Sequence, residues 1–137
     1  MFFNNKKDSD EYENLKKIAA LLIHAATIDE NYTKIEKKII TETLLEMGAN
    51  TENVNKILSE GEKIEEDSNQ ILEFTKEVKN MENHDKIKII ETLWKIIYSN
   101  NEADIYESNL MRRLTGLLYI DNKVMGDIKE KIKREIS

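Results

Sequence analysis

Asp29-Glu30-Asn31-Tyr32-Thr33-Lys34-Ile35-Glu36 and Asn100-Asn101-Glu102-Ala103-Asp104-Ile105-Tyr106-Glu107 begin at positions 29 and 100, so 71 residues separate two stretches of one pattern. In each, oxygen-bearing side chains recur at the first, third, fifth and eighth positions. Each is a polar join that leaves one apolar helical run and enters another. Two such joins predict an all-α chain built from a duplicated helix–loop–helix unit.

Outward from the joins, the apolar spacing is helical almost throughout. Leu15, Ile18, Ala19, Leu22, Ala25 and Ala26 share one face of a first helix over about residues 11–27. Ile35, Ile39, Ile40, Leu44 and Met47 turn inward on a second helix, which starts at Thr33 and ends at Gly48. Glycine is favoured at such a helix end. Thr51 is expected to cap a third helix carrying Val54, Ile57 and Leu58. Beyond Gly61 that helix is acidic, which predicts a surface position. Ser68 opens a fourth helix bearing Ile71, Leu72, Phe74, Thr75 and Val78, and residues 80–84 form a loop. The fifth helix, near 84–98, is apolar on more than one side through Ile87, Ile89, Ile90, Leu93, Trp94, Ile96 and Ile97. That is the signature of a central helix. Asp104 starts a sixth with Leu110, Met111, Leu114, Leu117 and Leu118 inward, and Asp121 a seventh with Val124, Met125, Ile128 and Ile132. No strand alternation competes. The expectation is about seven helices in a bundle, with an internal pseudo-two-fold relation between helix hairpins. The first helix maps onto the fifth and the second onto the sixth.

At 137 residues the chain is read as one domain over 11–137 behind a flexible lead-in over 1–10. A chain of this length buries enough surface to fold without a disulfide or metal staple. No cysteine is present, which excludes a disulfide framework, a thiolate zinc site and a cysteine nucleophile. The 21 basic and 27 acidic residues give a net charge of -6 and intermix along the helices. That argues against nucleic acid, where phosphate neutralisation by clustered cations dominates affinity. No run approaches the ~20 apolar residues of a membrane span. Phe2 and Phe3, followed by Lys6 and Lys7, offer at most a weak peripheral membrane contact and otherwise read as a frayed terminus. Missing a signal segment, the chain is expected to be cytoplasmic.

Two readings of the joins compete. Thr33-x-x-Glu36 and Asp104-x-x-Glu107 fit capping boxes, in which the cap oxygen accepts from the backbone three residues on and the Glu reaches back. Alternatively the joins hold a hard cation, which is satisfied by several oxygen ligands. The spacing of Asp29, Asn31, Thr33 and Glu36 opens like an EF-hand loop, but Lys34 and Ile40 stand where that loop needs glycine and a bidentate glutamate. A site of another kind would pool Asp29, Glu36, Asn100, Asp104 and Glu107 from joins that face each other. The calcium, magnesium, manganese or zinc it would hold is not fixed by spacing.

The chain resembles the tellurite-resistance protein B-like (TerB-like) family. Members carry twice a helix ending in Ala-Asp-Gly, followed by an apolar residue, a cap and a Glu. The matching positions are Ile28-Asp29-Glu30 with Tyr32, Thr33 and Glu36, and Ser99-Asn100-Asn101 with Ala103, Asp104 and Glu107. Phe74-Thr75 and Leu93-Trp94 match aromatic-Thr and Leu-Trp pairs of the family, and the likeness spans about residues 12–132. It implies an all-α fold, a divalent-metal site at Asp29, Glu36, Asn100 and Glu107 with Asp104 nearby, and kinship with a domain of DnaJ-like co-chaperones. Glu30 and Asn101 replace both loop glycines, and Asn100 replaces an aspartate, which removes one negative charge from the site.

The remaining candidates carry less. His24 and His84 are the only histidines, and neither belongs to a Glu-x-x-His pair, which argues against a carboxylate di-iron bundle. Glu60, Glu62, Glu65, Glu66 and Asp67 read as a solvated face, or as a dock for a basic partner. Tyr98 and Tyr106 flank the second join and are placed to wall a pocket. With no nucleophile motif or phosphate loop, an enzyme using Asp29, Glu36 or Glu107 as acid or base ranks last. The favoured expectation is a non-enzymatic scaffold or sensor of bacterial stress response, loading a divalent cation at the joins. The alternative is a protein-interaction or co-chaperone-type adaptor whose acidic loops serve only as caps. Either implies a protein partner that the sequence does not name.

Overall fold

The computed structural model describes the backbone of residues 2–27, 33–67, 72–99 and 105–136, and side chains at 11–27, 33–67, 75–76, 78–99 and 109–135. Within these the chain is all-α: α1 Phe2–Thr27, α2 Lys34–Glu46, α3 Val54–Asp67, α4 Leu72–Lys79, α5 Asn83–Tyr98, α6 Ile105–Leu117 and α7 Asn122–Ile136. No strand occurs among the described residues. No helix among them is long and apolar enough to cross a membrane.

Two helices form the inside of the molecule. As expected, α5 is central: Ile89, Ile90, Leu93, Trp94, Ile96 and Ile97 are buried and meet α1, α2 and α7. The first helix is enclosed as well, since Ala20, Leu21 and Ile23 are buried alongside Ile18, Ala19 and Leu22. Around this pair the most extensive contacts are α1 on α3 and α5 on α7. One polar link crosses the core. The hydroxyls of Thr43 on α2 and Thr92 on α5 lie 2.8 Å apart, and each also reaches a carbonyl in the preceding turn.

The helix ends follow local chemistry. Thr33 caps α2 in a complete capping box, as its sequence predicts. Asp121 accepts from the Lys123 amide at the start of α7. The C-termini of α2 and α6 share a Schellman pattern. The Ala49 amide donates to Leu44 O and the Gly48 amide to Leu45 O; the Ile120 amide donates to Thr115 O and the Tyr119 amide to Gly116 O. Such an end needs one residue with left-handed backbone. That residue is Gly48 at φ 121 in α2 and Tyr119 at φ 55 in α6.

Several expectations need correction. The helix does not start near residue 11: α1 begins at Phe2, because residues 2–10 contain no helix breaker although they carry no apolar stripe. Thr51 does not cap α3. It lies in a turn closed by Asn50, whose side chain accepts from the Glu52 and Asn53 amides. Beyond Gly61 no residue of α3 is buried, in keeping with a surface position, but Glu62, Ile64 and Glu65 are half-buried. Ile35 and Val124, read as inward, are exposed. The caps expected at Ser68 and Asp104 fall outside the described residues.

Candidate site at the first helix join

The first join is shaped by where α1 ends and α2 begins. The Thr33 hydroxyl accepts from the Glu36 amide at 3.1 Å, and the Thr33 amide donates to Glu36 Oε1 at 2.9 Å. Glu36 is only 1% exposed, so its carboxylate belongs to the interior of the join. Burial of a carboxylate is costly without hydrogen bonds to satisfy it. Here the cap supplies one of them.

Beside this cap is a cleft of about 380 Å³ between α1, α2 and α3. Ile23 and Thr27 line it from α1, Thr33, Lys34 and Lys37 from the start of α2, and Glu62, Glu65 and Glu66 from α3. The acidic stretch of α3 therefore closes the first join. His24 Nδ1 lies 3.4 Å from Glu65 Oε1, and the Thr27 hydroxyl, which donates to His24 O at 3.1 Å, is 3.4 Å from the same oxygen. Lys37 Nζ is 3.7 Å from Glu62 Oε1. Further along α3, Glu60 accepts from the Tyr12 hydroxyl at 2.8 Å and pairs with Lys16 at 3.4 Å. The Tyr12 hydroxyl and the Lys16 amine hold the Glu60 carboxyl below the ordinary range of a glutamate, against a smaller opposing effect of desolvation. The three carboxylates, two hydroxyls and two ammonium groups of this cleft suit binding of a small polar group.

Of the five ligands expected from the sequence, the structure describes Glu36 alone. Asp29, Asn100, Asp104 and Glu107, with Tyr106, lie outside the described side chains, so the facing of the two joins does too. Tyr98 is half-buried and stacks on Trp94 at 5.9 Å instead of standing open. The sequence reads Glu62 and Glu65 as a solvated face or a dock for a basic partner, not as part of the join. Their link to the join depends on α3 folding back over α1, and no local spacing reports that. One other convergence of ligand atoms appears among the described residues. His84 Nδ1 lies 3.4 Å from Glu82 and its Nε2 3.2 Å from Asp85 at the exposed start of α5. These distances are those of ordinary surface pairs.

Fold and join together define an all-α module whose first helix join is locked by a capping box. A family model matches residues 15–130, that of Tellurite resistance protein TerB, and the chain belongs to that family. No curated protein and no solved structure matches it.

Proposed function

We propose that the protein is a non-enzymatic, cytoplasmic scaffold or sensor of bacterial stress response that loads a divalent cation at its acidic helix joins. The observation that carries this reading is Glu36, a carboxylate buried in the first join and held in one orientation by Thr33. A fixed carboxylate is half of what a cation site needs; the other half is a set of oxygen ligands around it. The donor set Asp29, Glu36, Asn100, Asp104 and Glu107 is all oxygen, which suits calcium, magnesium or manganese better than zinc. Duplication is part of the proposal. Both ends of α6 lie 71 positions after those of α2, α5 ends 71 positions after α1, and Tyr119 stands 71 positions after Gly48 in the same cap pattern. These coincidences support two copies of one hairpin, each bringing an acidic join.

The test is thermal unfolding of metal-stripped protein with each divalent ion added. Glu36→Gln is the informative variant, since glutamine also completes a capping box but carries no charge. An ion at 100 times its dissociation constant should stabilise the wild type by about 2.7 kcal/mol. Glu36→Gln should match the wild type in chelator and lose that increment. An increment kept by the variant, or given by no ion, would leave the second reading. In it the joins are caps and the molecule is an adaptor for a protein partner; the complete capping box at Thr33 and Glu36 favours that reading.

A further inference from the structure

The two Schellman ends of this chain differ in one respect that the turn does not require. Gly48 fills the left-handed position of the first, and Tyr119 that of the second, at φ 55. A side chain larger than glycine is strained there, and tyrosine gains nothing from burial, because Tyr119 is 75% exposed. Backbone strain kept at an exposed aromatic points toward use of that side chain. The surroundings say what it would meet. Lys79 Nζ lies 5.4 Å from the ring centroid. A cleft of about 370 Å³ opens beside the ring, floored by Leu117 and Gly116 of α6 and edged by Lys76 and Lys79 of α4. Arg112 and Arg113 are exposed one helical turn before Gly116 and Leu117, on the same side of α6. None of these four cations forms an ion pair with a described carboxylate. Among the described side chains of a chain of net charge -6 this is a basic patch around an aromatic knob.

We propose that the Tyr119 knob and the Lys76–Lys79 cleft dock an acidic peptide segment of another protein, with an apolar side chain seated against Leu117. Charge complementarity selects the acidic partner, and the concave cleft selects a peptide over a flat bilayer. The surface is independent of the cation site and stands or falls without it.

The experiment is a fluorescence-anisotropy titration of the full chain against a short fluorescein-labelled peptide of Asp, Glu and Leu. Tyr119→Gly and Lys76→Glu/Lys79→Glu are compared with the wild type. Glycine suits the backbone at position 119, so that variant folds and lacks only the ring. Binding that weakens with added salt, and by about tenfold or more in each variant, is the expected result. No binding, or binding that Tyr119→Gly retains, overturns the proposal. So does a peptide without Leu binding equally well, which would mean charge alone. Tyr119-dependent sedimentation with phosphatidylserine vesicles without peptide binding would assign the surface to membrane. Tyr119-dependent dimerisation in analytical ultracentrifugation would assign it to a second copy.

Discussion

Gly48 at φ 121 and Tyr119 at φ 55 allow the cost of a positive backbone angle to be measured at two values in the same molecule. An added Cβ at Gly48 would meet nothing within 4 Å, so Gly48→Ala isolates the left-handed penalty from any clash. It should lower unfolding stability by about 1 kcal/mol in urea denaturation. Tyr119→Gly should raise it by a smaller amount, because φ 55 falls in the left-handed well that side chains can occupy. Loss of the Lys79–ring contact, on the order of 0.5 kcal/mol at an exposed site, reduces that gain further. If both substitutions were neutral, strain at Tyr119 would not exist and its use as a docking knob would lose its motive. The buried threonines make a second residue-scale case. The Thr43 and Thr92 hydroxyls bring two protons to three contacts: the one between them, Ile39 O and Lys88 O. Removing one hydroxyl leaves the other free to donate to its own carbonyl. Each single change to valine should therefore cost about 1 kcal/mol, and the double change less than the sum of the two. A double-mutant cycle with full additivity would show that the two do not interact.

At the scale of the element, glycine again separates packing from conformation. Gly61 sits where α3 crosses α1, and a Cβ there would come 2.7 Å from Ala19 Cβ and 3.2 Å from both Ala20 N and Lys16 O. Two of those three atoms are backbone and cannot step aside. Gly61→Ala should destabilise by about 1–3 kcal/mol. The helical glycines Gly116 and Gly126 have nothing within 4 Å of a built Cβ. Gly116→Ala and Gly126→Ala should each stabilise by about 0.5–1 kcal/mol. Denaturation of the three variants side by side checks the sign of each, and a neutral Gly61→Ala would mean that α3 can slide on α1. This crossing also explains which elements the sequence revealed. The start of α2 was legible because Thr33 and Glu36 signal locally, and α5 because its apolar residues surround the helix. The closeness of α3 to α1 was hidden, since Val54, Ile57 and Leu58 announce a buried face but a glycine fitted against alanine adds no apolar side chain to it. Ile35 misled in the opposite way: apolar and in phase, yet 62% exposed. Half of the first join was legible for the same reason. Glu36 belongs to a motif four residues long, whereas Glu65 meets His24 across 41 positions.

For the molecule as a whole, the same α1–α3 seam and the α5–α7 face set how stability responds to pH. Glu60 has a folded-state pKa held below the ordinary 4.5, first by the Tyr12 hydroxyl and then by Lys16. A depressed carboxylate contributes stability that is present above its unfolded value and is lost as pH falls through the folded one. The acid limb should therefore begin below about pH 4.5. Tyr98 is pushed above 10.0, mainly by burial and further by the Glu130 carboxylate; Tyr12 is raised likewise, by burial and by its bond to Glu60. A raised group contributes stability that is complete below its unfolded value and is lost as pH climbs through the folded one. The alkaline limb should begin near pH 10, where growing negative charge on an already acidic molecule adds self-repulsion. Melting temperature against pH should thus show a plateau between two falling limbs. Tyr98→Phe should flatten the upper limb while leaving the lower one unchanged, because phenylalanine keeps the stack on Trp94 and has no proton to lose. Glu60→Gln should do the reverse, since its amide oxygen still accepts from Tyr12 but does not titrate. If Tyr98→Phe left the alkaline slope intact, the loss would come from general repulsion, and it should then shrink with added salt in the wild type and the variant alike.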